Sequence, residues 1–221
     1  PYAMNYDYYR PNDVLGEPSL TEMTAFAIDV LSYDPDGYFL MVEGGLIDSA
    51  SHSNYARMAV MEVLGLDKAV RMAMDTVDSQ TLVVVTADHE TGGLASNGYA
   101  GRSDIIGERL FGNVYDEGSQ RGLISWGTGL AGNSPAMVDE SNLNYRHRAA
   151  YYRSYSTHTA VDVPLMATGP GAMDFCGFHD NTDIPRIIAR LMGVAYDSKV
   201  NQDNYDAYIA QKNATQTLPY E

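Results

Sequence analysis

Three stretches of this chain, 38–43, 82–87 and 163–168, have the apolar, β-branched character of buried strands, and segments of helical period lie between them. Three parallel strands are too few for a doubly wound sheet of ordinary size, so the 221 residues are expected to supply only part of one. The alternation of strand and helix points to an α/β fold. Ser19-Leu20-Thr21-Glu22 has the capping-box spacing and predicts a helix over 20–31, stopped before the Asp34-Pro35-Asp36-Gly37 turn. A second helix is expected over about 53–77, interrupted at Gly65, with its methionines as core filler. Asn181-Thr182-Asp183 followed by Pro185 reads as a third helix start, and Gly193 as its stop.

Carboxylates and imidazoles sit at the ends of these runs. The stretch Tyr38-Phe39-Leu40-Met41-Val42 ends in Glu43-Gly44-Gly45, and Asp48 and His52 follow four residues apart. If a helix has begun by Asp48, both side chains lie on one face and reach a single ion. Asp88-His89 comes directly after the run 82–87, at the strand end where open α/β sheets bind ligands. His158 precedes 163–168 and is expected to reach the site from a loop. Three of the five histidines thus stand where metal ligands would be placed. Asp and neutral His suit zinc, and three protein ligands with one open position mark a catalytic site. Asp48, His52 and His158 make three; Asp88 and His89 make only two. A pair of such ions clamps the attacking and leaving oxygens of an in-line displacement at phosphorus, which points to phosphoryl chemistry. Taken alone, Asp48 and His52 are better read as an ordinary helix-face pair, and it is the ordered set with Glu43, Asp88, His89 and His158 that shifts the balance.

Val42-Glu43-Gly44-Gly45-Leu46-Ile47-Asp48, His52, Thr86-Ala87-Asp88-His89 and His158, in that order, resemble the carboxyl-terminal half of an alkaline phosphatase of animal type, with the likeness running from about 18 to 193. The resemblance implies an alkaline-phosphatase-like α/β core at 1–91 and 158–200, part of a doubly wound, mostly parallel sheet. It further implies a crown-like insertion at 92–157 against a dimer partner; 201–221 reads, from its own composition, as a polar tail. It implies a first zinc on Asp48, His52 and His158, a second on Asp88 and His89, and one magnesium with a contribution from Glu43. Magnesium takes few carboxylates and keeps several waters, which suits that last role. The implied activity is hydrolysis of phosphate monoesters through a phosphoserine, with both zincs acting as Lewis acids. The family's serine nucleophile, an aspartate bridging the second zinc and magnesium, a hydroxyl ligand and the phosphate-gripping arginine come from an amino-terminal half with no counterpart here. No catalytic residue is therefore assigned. Asp48-Ser49-Ala50 copies the nucleophile tripeptide only superficially: it lies inside the metal segment, and Ser49 is expected to solvate the loop. Where mammalian members crowd histidines, this chain has Ser49-Ala50-Ser51 and Glu90-Thr91-Gly92-Gly93. The surroundings that tune the metals therefore differ, and Glu90 is expected to add a carboxylate near the second ion.

The remaining features bound the function. A net charge of −15, from 14 Lys and Arg against 29 Asp and Glu, with no basic run, argues against nucleic acid as a partner. No stretch is apolar and long enough to span a bilayer, and 201–221 lacks a lipid-anchor signal. Localisation is expected to be extracellular or secreted, from the resemblance. A start at Pro1 fits a processed, cleaved or partly sequenced product. The single Cys176 is expected to be a buried thiol, and Asn213-Ala214-Thr215 fits a glycosylation acceptor. Tyrosines over 145–155 read equally as an interface strip or surface cover, His147 as a surface residue and His179 as a loop hydrogen-bonder. Two other readings compete: another hydrolase of the same superfamily, such as a phosphodiesterase or sulfatase, and a non-catalytic zinc-binding fragment. The Val-Glu-Gly-Gly element favours the monoesterase.

Overall fold

The structure is a computed structural model and describes residues 4–96, 124–130, 146 and 149–194. His147, Tyr145, the tail 201–221 and its Asn213 lie outside the described residues, as does most of 92–157. The chain divides into two units, one of residues 1–81 and 85–165 and one of 82–84 and 166–221.

In the first unit, α1 (Leu20–Leu31) starts at the expected box: the Ser19 hydroxyl accepts from the Glu22 amide at 3.1 Å, and the Glu22 carboxylate accepts from the Ser19 amide at 2.7 Å. Two orphan amides of the first turn are thereby satisfied. Helix α2 (Leu46–His52) is short, and α3 (Ala56–Thr76) runs through Gly65 without the expected interruption. A mid-helix glycine costs about 1 kcal/mol relative to alanine. Both α1 and α2 pack against α3. Between α2 and α3, Ala50, Met58 and Ala59 form one buried cluster, with Tyr6 and Tyr55 packed on it.

Strand β1 (Val83–Thr86) appears inside the predicted run 82–87. β2 (Glu90–Thr91) pairs antiparallel with β6 (His158–Thr159). β3 (Ala95–Ser96) lies antiparallel to β4 (Ile124–Gly129), which in turn lies parallel to β5 (Ala149–Tyr152). Trp126 of β4 is 2% exposed and packs with Ala56, Ile124 and Ala149 in a second buried cluster. An indole buries roughly 150–250 Å² of surface. At ~25 cal/mol per Å² that is on the order of 4–6 kcal/mol before entropy is counted.

The run 38–43 forms no strand, although its side chains alternate in exposure as a strand's would. A strand exists only as part of a ladder, and no described segment pairs with this one. Phe39 and Met41, on its outward side, are 60% and 75% exposed.

In the second unit, β7 (Leu165–Thr168) pairs with β1, as the apolar run 163–168 suggests. A 3-10 turn at Ala172–Phe175 leads to α4 (Asp183–Leu191), which ends before Gly193 at φ 67°. Arg190 pairs with Asp174 at 2.9 Å. Phe175 takes the buried place at the end of the 3-10 turn and leaves Cys176 exposed, contrary to the expectation of a buried thiol. His179 Nε2 bonds the Cys176 carbonyl at 3.2 Å, the expected loop hydrogen bond.

Candidate metal centre

Asp48 lies in the first turn of α2 and His52 in its last, so the four-residue spacing places them one above the other. His52 Nε2 is 3.1 Å from Asp48 Oδ2. His158 comes from β6, not from the expected loop, because its register opposite Thr91 makes a short ladder there. Its Nε2 stands 3.3 Å from Asp48 Oδ1 and 3.1 Å from His52 Nε2. One donor atom from each of Asp48, His52 and His158 lies within 4.8 Å of the others, the one such group of three among the described residues.

The chemistry of these donors is informative. His52 Nδ1 lies 2.6 Å from the Ser156 carbonyl oxygen, which can only accept, so Nδ1 carries the proton in the neutral ring. That leaves the Nε2 lone pair facing a carboxylate oxygen and a second imidazole nitrogen. Three electron-rich atoms turned on one point repel each other unless a cation or proton sits between them. A zinc ion fits this set in ligand type and number, with a coordination position left over.

Asp88 and His89 follow β1. Asp88 Oδ2 is 3.1 Å from His89 Nε2, and the Asp88 side chain is 86% exposed. The His89 ring stacks on that of His158, with centroids 3.5 Å apart. The chain therefore brings His89 against the trio, while Asp88 and His89 gain no third His, Cys, Asp or Glu of their own among the described residues. Glu43 is exposed and belongs to no such group. It folds over Gly45, where an added Cβ would come within 3.1 Å of Glu43 Oε1. Ser49 is exposed on α2, consistent with solvation.

Glu90, expected to add a carboxylate near the second ion, is held by hydrogen bonds within the chain. Its oxygens accept from the Gly93 and Leu94 amides at 2.9 Å each, and from the Thr159 hydroxyl. The carboxylate is engaged in closing the turn at Gly92-Gly93 onto β6. Gly92 is required there twice over: its φ is 93°, and an added Cβ would collide with the Trp126 ring and lie 2.8 Å from Ser156 Oγ.

Sequence reasoning missed Thr91, whose hydroxyl donates to Asp48 Oδ1 and lies 3.3 Å from His89 Nδ1. Its signal was its place two residues after His89, on the same side of an extended segment.

Comparison with known proteins gives this geometry its context. The family model for alkaline phosphatase matches residues 1–194. The chain belongs to the alkaline phosphatase family. It is 35% identical over 195 residues to a membrane-bound alkaline phosphatase of Bombyx mori, covering 82% of this chain and 34% of that protein. The tissue-nonspecific isozyme of Rattus norvegicus is 35% identical over 203 residues, covering 86% of this chain and 37% of the relative. The chain thus spans little more than a third of these relatives. Among solved structures, the alkaline phosphatase of the Antarctic bacterium TAB5 superposes with a TM-score of 0.54 at 26% identity, over 80% of this chain and 42% of that one. A cold-active alkaline phosphatase from Shewanella sp. gives 0.54 at 26%, over 83% and 52%. The fold is the α/β fold of alkaline phosphatases. Among the described residues no helix is long and apolar enough to cross a membrane.

Proposed function

We propose that this chain supplies the metal-binding part of an alkaline phosphatase that hydrolyses phosphate monoesters. The observation that carries the reading is the convergence of Asp48, His52 and His158 on one point with the His52 Nε2 lone pair directed into it. In this reading those three residues hold a first zinc, Asp88 and His89 contribute two ligands to a second, and Glu43 contributes to a magnesium site. A variant of the TAB5 enzyme solved with Mg bound in its M3 site supports magnesium as a third ion of the family. When bound, zinc supplies Lewis acidity to the phosphoryl oxygens. The chain's own residues orient that chemistry: Thr91 donates to Asp48 and leaves the carboxylate's other oxygen toward His52, and Ser156 fixes the His52 tautomer.

The serine nucleophile and the phosphate-gripping arginine come, on this reading, from the family's amino-terminal half, as partner to this chain. The remaining expectations travel with it: a crown-like insertion at 92–157, a homodimer, and an extracellular or secreted setting. A zinc- and magnesium-replete preparation of the 221 residues is expected to bind zinc and to leave p-nitrophenyl phosphate intact. Turnover would put the nucleophile within this chain, and absence of zinc from Asp48, His52 and His158 would remove the reading altogether.

A further inference from the structure

We propose that Asn54 is a positioning residue for the trio, acting through Ser156 to hold the His52 ring with Nε2 turned toward Asp48 and His158. The inference rests on the zinc reading and concerns what fixes the ligand before any ion binds.

Helix α2 ends just after His52 in a motif that needs a left-handed residue. The Tyr55 amide donates to the Ala50 carbonyl at 2.9 Å, the Asn54 amide donates to the Ser51 carbonyl at 2.9 Å, and Asn54 between them has φ 58°. Among the described residues it is the one non-glycine with positive φ. Glycine is the usual residue at such a helix end, and asparagine the occasional one. The cap alone therefore gives no reason to carry a side chain.

That side chain does not go to solvent. Asn54 is 1% exposed, and its Nδ2 donates to the Thr128 carbonyl and to Ser156 Oγ, both at 3.1 Å. Ser156, fully buried, donates its own hydroxyl to the same Thr128 carbonyl. Gly129, next along β4, leaves the room: an added Cβ there would overlap the Asn54 amide group. Ser156 is in turn bound to His52 by two hydrogen bonds. Its amide donates to the His52 carbonyl at 2.8 Å, and its carbonyl accepts from His52 Nδ1 at 2.6 Å. The link runs from β4 through Asn54 and Ser156 to the imidazole, and the buried amide adds a second tie between Ser156 and β4 beside the one that the Ser156 hydroxyl makes itself. A hydrogen-bonded partner on the far nitrogen of a ligating histidine fixes both tautomer and ring angle.

Three forms of the 221-residue chain test this: wild type, Asn54→Gly and Ser156→Ala. Glycine keeps the left-handed cap and removes only the amide. Alanine removes the Ser156 hydroxyl and keeps the carbonyl that receives His52 Nδ1–H. Long-range ¹H–¹⁵N correlation reads the His52 tautomer in the metal-free protein, and zinc titration against a competing chelator reads affinity at the same ring signals. Denaturant unfolding of the metal-free forms measures stability separately. Asn54→Gly is expected to mix the tautomers of metal-free His52 and to weaken zinc binding by about 10–100-fold. Ser156→Ala, which deletes the Oγ through which Asn54 reaches Ser156, is expected to mix the tautomers and weaken zinc binding to a similar extent, by about 10–100-fold. A variant that loses stability yet keeps the wild-type tautomer, with zinc affinity within about twofold, would make Asn54 a helix cap and nothing more and overturn the inference. Wild-type protein whose His52 signals ignore zinc would sink the zinc reading instead. The tautomer of metal-free Asn54→Gly would still decide whether the clamp operates.

Discussion

Asp48, His52 and His158 are drawn from a helix and from a strand more than a hundred residues along the chain, whereas Asp88 and His89 are chain neighbours following β1. The first group is supported from outside: Thr91 donates to Asp48, and Ser156 accepts from His52. Among the described residues the second has one comparable hydrogen-bond contact, the 3.3 Å approach of Thr91 to His89 Nδ1, and its aspartate stands in solvent. Adjacent residues in sequence are cheap to bring together but inherit only the local backbone's rigidity. Ligands gathered from separate elements cost more chain entropy to assemble and are then held by everything that packs those elements. On the proposed reading, the trio is accordingly a site this chain can complete, and the pair is half of one.

Ligand removal at each group is the sharpest test of that contrast. A ligand bound at a hundred times its Kd stabilises the folded protein by about 2.7 kcal/mol, which calorimetry reads as a rise in Tm. Asp48→Asn or His158→Ala is expected to abolish the zinc-induced rise, with affinity falling by about 100-fold or more. Asp88→Asn is expected to leave most of it in place. Equal losses from both groups would mean that the two act as one site in this chain, and the distinction drawn above would fail.

What could be read in advance follows the same line between local and long-range. The capping box at Ser19 and Glu22 specified the start of α1, because a cap is a contact over three residues. The Asp48 and His52 pairing was legible because four residues make one helical turn. The β2 and β6 ladder was not legible: two residues on each side carry no period, and their register depends on a partner 67 to 69 positions away. The partners of Glu90 were not legible for that reason, since nothing near it in the chain announces the Thr159 hydroxyl that it accepts from. The run 38–43 shows the converse, a clear local strand pattern with no ladder among the described residues to realise it.

Thr91 touches both groups through one hydroxyl, which can therefore separate support from coincidence. Thr91→Val keeps the β-branched shape on β2 and deletes the donor. A hydrogen bond to a charged carboxylate is about twice as strong as one between neutral groups, so the loss falls mainly on Asp48. Zinc affinity at the trio is expected to drop by roughly 10-fold, with Thr91→Ser restoring most of it. A chelator competition in which valine binds zinc as tightly as threonine would show that Asp48 needs no such holding.

The smallest effect concerns stability without metal affinity and serves as the control for the others. Glu62 on α3 accepts from the Asp7 amide at 2.7 Å. Burial raises its pKa above the ordinary 4.5, and the Asp7 charge raises it further against the opposing pull of that hydrogen bond. Because the folded protein holds the proton more tightly than the unfolded chain, stability falls as pH rises from the unfolded value through the folded one, and the ionised carboxylate is a cost at pH 8. Glu62→Gln keeps an oxygen for the Asp7 amide and never ionises. It is expected to be modestly more stable than wild type at pH 8, with the gap closing as pH falls toward 4.5, while zinc affinity at the trio stays unchanged. Denaturant midpoints across that range check the sign: a glutamine variant that is the less stable form at pH 8 would mean the carboxylate's hydrogen bond outweighs its burial. A change in zinc affinity would mean that global stability and the metal centre cannot be varied separately, and the ligand comparisons would then have to be read against stability at every step.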